Sequence, residues 1–95
     1  MYFALVRLVT WNGDGSLKAF CDLAVDRRIL IRGIRVVEGR QGPFVSMPRV
    51  KDRDQRWRDV VMPMTKETRM EMVHVILDAF YKSRQPSITK EVRDA

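Results

Sequence analysis

Asn12-Gly13-Asp14-Gly15 restricts this chain more than any other four residues. An Asn-Gly and an Asp-Gly in tandem supply the positive-φ positions that a tight hairpin turn requires, and both flanks read as extended chain. Tyr2 to Trp11 is apolar and β-branched enough for a strand. After the turn, Leu17, Ala19, Cys21, Leu23 and Val25 alternate with Lys18, Asp22 and Asp26, the period of a half-buried strand. An antiparallel meander is the expected continuation.

The following residues do continue it. Asp26-Arg27-Arg28 predicts a second turn, Ile29 to Glu38 a third strand and Gly39-Arg40-Gln41-Gly42 a third turn. Phe44 to Met47 is a short strand that Pro48 ends, because proline donates no ladder hydrogen bond. Arg49 to Arg56 mixes both charges around a single apolar residue, Val50, and predicts an exposed loop. Trp57 to Met62 is the last strand, closed by Pro63. Thr65 then offers a hydroxyl to the free amides of a helix start. Met72, Val73, Ile76, Leu77 and Phe80 recur at helical spacing as an apolar stripe aimed at the sheet. Lys82-Ser83-Arg84-Gln85 ends the helix, and Pro86 opposes its continuation. The expected fold is α+β: a twisted antiparallel sheet of four or five strands followed by one C-terminal helix.

A chain of 95 residues makes one domain, placed at residues 1–85, with 86–95 as a polar tail. In the third strand, strict alternation sets Ile29, Ile31 and Val37 on one side and Leu30, Ile34 and Val36 on the other. One helix covers one face only, so a second subunit is the economical cover for the other. That reading predicts a homodimer.

Charge narrows the partners. Eighteen basic residues against twelve acidic ones leave a formal charge of +6, which favours a polyanionic partner. Thirteen of the eighteen are arginine, whose planar fork suits phosphate and carboxylate alike. Cys21 is the single cysteine, so an internal disulfide framework and a cysteine-rich zinc site are both excluded. The amino terminus carries no basic leader or cleavage site, and no apolar run nears the roughly 20 residues a membrane-spanning helix needs. A soluble cytoplasmic protein is expected.

Arg49, Lys51, Arg53, Arg56 and Arg58 make the densest positive segment. Such side chains on a rigid sheet track phosphates, and Trp57 beside them offers a flat face for a base. The alternative is a solvated loop with the Trp57 ring turned into the core. Arg27 and Arg28, with Arg32 and Arg35, form a second cluster, in which one of Arg32 and Arg35 faces inward. Lys82 and Arg84 end the helix, and Lys90 and Arg93 continue the positive charge into the tail. The outer helix face gathers Glu67, Glu71, His74 and Asp78, which repel phosphate. Arg69 falls within the apolar stripe on the same projection, where a buried guanidinium needs a partner. Asp59 is the candidate, in a structural salt bridge. No catalytic constellation, metal-ligand set or cofactor motif is legible: His74 is alone, the serines lack a base, and Gly39 to Gly42 leads into a strand.

Ile31-Arg32-Gly33-Ile34-Arg35-Val36-Val37-Glu38-Gly39, then Gly42-Pro43-Phe44-Val45-Ser46-Met47-Pro48, then Trp57-Arg58-Asp59-Val60-Val61 with Pro63, is a rare ordered combination. It closely resembles the stage V sporulation protein G (SpoVG) or septation regulator family, small bacterial cytoplasmic proteins that bind nucleic acid. Similarity extends from Val6-Arg7-Leu8 to Arg69 and the helix. Arg49-Val50-Lys51-Asp52 departs from it, since relatives place adjacent basic residues there, and the basic tail departs from the acidic ends of several relatives. The resemblance implies a strand-joined homodimer that binds DNA, with RNA as a further ligand, and regulates septation or sporulation genes from the cytoplasm or nucleoid. It implies no cofactor, no small-molecule substrate and no membrane. A non-enzymatic adaptor whose arginines meet an acidic protein is the alternative.

Overall fold

The computed structural model of the chain describes residues 1–84. Four strands form an antiparallel meander in sequence order: β1 (Phe3–Thr10), β2 (Leu17–Val25), β3 (Ile29–Gly39) and β4 (Gly42–Ser46). The first turn is closed by the Trp11 amide on the Lys18 carbonyl at 2.7 Å. A short hairpin, β5 (Arg49–Lys51) and β6 (Trp57–Asp59), makes a separate two-stranded sheet before α1 (Lys66–Ser83). The fold is α+β, as the alternation and stripe imply.

Helix α1 lies on one face of the four-stranded sheet, against β1, β2 and β4. Its Met72, Ile76 and Phe80 are buried at i, i+4 and i+8, and meet Phe3, Ala19, Cys21, Leu23, Ile34, Val36, Val45 and Met47 from the sheet. Val73 and Leu77 pack partly buried at the margin. Thr65 caps the helix as expected, its hydroxyl accepting from the Thr68 amide at 3.1 Å. Cys21 is 2% exposed. Burial, with the Asp22 charge beside it, pushes its thiol up to about 11, so it stays protonated and unreactive near neutrality.

Three expectations need correction. Strict alternation in β3 fails at Gly33, whose φ of +81° inserts an extra residue into the strand. Leu23 pairs with Ile31 but Cys21 pairs with Ile34, so Ile31, Ile34 and Val36 share the core face. Arg32 and Arg35 are consequently both exposed, and neither faces inward. Second, the segment from Arg49 to Arg56 is not all loop: Arg49, Val50 and Lys51 pair with Asp59, Arg58 and Trp57. Alternation could not signal it, because both faces of this hairpin meet solvent. Third, Arg69 is exposed, and Asp59 pairs with Arg49 at 2.9 Å. Arg69 occupies the first turn of α1, and the buried run starts one turn later at Met72.

Candidate nucleic-acid interface

The β5–β6 hairpin projects as an arm from the end of β4, and its turn is built by one side chain. Asp52 Oδ1 accepts from the backbone amides of Asp54 at 2.9 Å and Arg56 at 3.0 Å, while Oδ2 accepts from Arg58 Nε. The Arg58 guanidinium and these amides hold the Asp52 carboxyl below its ordinary 3.8. Gln55 takes a positive φ of 64°, and its amide bonds the Asp52 carbonyl at 3.0 Å. These contacts replace the tertiary packing that a two-stranded hairpin normally needs.

The carboxylates divide the arm's cations into two groups. Arg49 is held by Asp59 and Arg58 by Asp52. Among the described residues, Lys51, Arg53 and Arg56 have no carboxylate within ion-pair distance, and all three are exposed. Trp57 is 55% exposed, so the reading that buries its ring in the core is excluded. The Lys51 ammonium stands 5.7 Å from the Trp57 ring centroid, a cation held over an aromatic face. The arm therefore presents a flat ring flanked by unpaired positive charge.

The remaining candidates are not gathered at the arm. Arg27 sits with Asp26 at the β2–β3 turn, at φ 60° and 52° respectively. Asp26 Oδ1 accepts from the Tyr2 amide at 2.6 Å, and the Arg27 guanidinium lies 5.4 Å from the Tyr2 ring centroid. Arg27 is thus engaged locally, and Arg28 is exposed beside it. Since β4 runs antiparallel to β3, the arm leaves from the sheet end that carries this turn. At the opposite end, Lys82 pairs with Asp78 at 3.1 Å, and Arg84 stacks 5.3 Å from the Phe80 ring beside Trp11 and Gly13. Lys90, Arg93 and the expected 85/86 boundary lie outside the described residues.

Spacing also missed Gly33. An isolated glycine inside a strand pattern is the available signal for a bulge. Glu67, Glu71, His74 and Asp78 are exposed together, as projected. No helix among the described residues is long and apolar enough to cross a membrane.

The chain is similar in sequence to known proteins. The SpoVG family model matches residues 1–82. A relative from Archaeoglobus fulgidus is 36% identical over 79% of this chain and 88% of its own length. One from Listeria monocytogenes is 33% identical over 90% of this chain and 84% of its own, and one from Symbiobacterium thermophilum 39% identical over 79% and 54%. Each is provisionally named septation protein SpoVG. With the family model covering nearly all described residues, the chain belongs to the SpoVG family.

Proposed function

We propose that this chain is a dimeric, non-enzymatic regulator that binds DNA, and RNA by the same chemistry, and acts in the cytoplasm on genes of septation or sporulation. The arm supports this reading most: Lys51, Arg53 and Arg56 are free for phosphate beside an exposed Trp57 ring. The relatives' name supports the link to septation. The acidic outer face of α1 turns away from this role. Cofactors have no part in it.

Dimerisation rests on an apolar groove of about 750 Å³ between β4 and α1, lined by Phe44, Met70, Val73, Leu77 and Tyr81. Among the described residues, the outer edge of β4 beside it has no strand partner. Two copies joined edge to edge at β4 would cover both.

Gel-shift titration against DNA and RNA over a salt series tests the function. Converting Lys51, Arg53 and Arg56 to alanine should weaken binding about uniformly across sequences and lower the duplex salt slope by about 0.9 per lost phosphate contact. Unchanged affinity and slope would defeat the arm assignment. A second reading, an adaptor for an acidic protein, draws on the same exposed cations, Lys51, Arg53 and Arg56, since a guanidinium binds carboxylate as readily as phosphate. Absence of any shift with either polymer would favour it.

A further inference from the structure

Among the described residues no element covers the face of the four-stranded sheet opposite α1, and its surface is neither plain core nor plain solvent. Cross-strand pairing places Val9, Phe20, Arg35 and Ser46 in one row across all four strands. In the adjacent row Arg7 pairs with Asp22, and the Arg32 guanidinium approaches Asp22 at 3.7 Å. Phe20 is 37% exposed at the centre of the sheet. The Arg35 guanidinium stands 6.0 Å from its ring centroid.

A hollow of about 320 Å³ opens beside that ring, lined by Arg7, Val9, Phe20, Asp22, Arg32 and Gly33. The bulge makes it: Gly33 carries no side chain, and a Cβ built there would meet nothing within 4 Å. The same bulge turns Arg32 and Arg35 outward together. One guanidinium, that of Arg35, thus stands at the ring, and Arg7 and Arg32 line the hollow beside it, Arg32 paired with the single carboxylate of Asp22. That excess of positive charge is the complement of a phosphate backbone and opposes a second copy of the same face.

We infer that this open face is a second nucleic-acid site, specific for single strands, with an unpaired base stacked at Phe20 in the hollow and Arg7, Arg32 and Arg35 on the flanking phosphates. A duplex keeps its bases stacked inside, so it cannot use the ring, whereas every unpaired base has a face to offer. The inference rests on the proposed nucleic-acid function but uses residues other than those of the arm. The two sites therefore separate by strandedness.

The test is fluorescence anisotropy with a labelled single-stranded oligonucleotide and with its duplex, using wild type, Phe20→Leu, Arg35→Gln and the triple arm variant. Leucine keeps the apolar bulk of Phe20 and removes the ring, and circular dichroism and column mass check that fold and assembly are unchanged. Phe20→Leu should weaken single-strand binding about tenfold and leave duplex binding within about twofold, and Arg35→Gln should do the same less severely. The arm variant should weaken both. Equal single-strand affinity in Phe20→Leu, equal losses on both ligands, or a changed mass marking the face as a contact between copies would each overturn the proposal. If the arm variant binds both ligands normally while Phe20→Leu loses the single strand, the arm reading fails and this one stands.

Discussion

Arg27 occupies a position that its own chemistry opposes. A bulky residue at φ 60° bears a left-handed cost of about 1–2 kcal/mol, and its compensation is the contact with Tyr2. Two variants separate these effects, because both lack the guanidinium. Arg27→Gly should be more stable than Arg27→Ala by about 1 kcal/mol, the backbone relief less the extra freedom glycine gives the unfolded chain, as read by urea denaturation. Asp52 has the converse character, a side chain whose charge organises backbone. Its folded value is depressed below 3.8, so the stabilisation is complete above that ordinary value and disappears as pH falls through the lower folded one. Amide exchange at Asp54 and Arg56 should accelerate on that acid side, and Asp52→Ala should show the fast exchange already at neutral pH. Slow exchange in that variant would show that the turn closes without the carboxylate.

At the scale of elements, β3 and the arm depart from simple pattern for opposite reasons. In β3 a single glycine changes which face every later residue takes, since side chains alternate with a period of two. Gly33→Ala meets open space, so its cost is backbone alone, about 1–2 kcal/mol. Urea denaturation checks the size, and a loss well above that would indicate that the bulge shifts register. The arm lacks an apolar face to announce it, and its strands are set by Asp52 and by the ion pair of Arg49 with Asp59. Helix α1 is legible except for Arg69: the Thr65 cap and the stripe from Met72 to Phe80 are local signals that packing completes. Phe80→Ala should therefore cost about 3–5 kcal/mol, measured by the same denaturation.

For the whole molecule, exposed Met62 and Met64 lie on the link from arm to helix, Met64 97% exposed, and exposed Met70 lines the β4–α1 groove. Such apolar surface beside the β4–α1 groove fits an interface. Light scattering on a sizing column should give twice 11.2 kDa, about 22 kDa, and a folded monomer at micromolar concentration would defeat the dimer. The sequence by itself determined the meander, the helix, its cap and the core face of α1, because turn chemistry and periodicity act between near neighbours. The family was legible for the same reason, as an unbroken order of short motifs. Only the tertiary structure decided which cations are free, that Trp57 is exposed, that Arg69 has no buried partner and that Arg32 and Arg35 share a face with Phe20. Those outcomes depend on pairing register and on which strands join the main sheet. Register is fixed by contacts between distant residues, and one inserted glycine reverses its consequences.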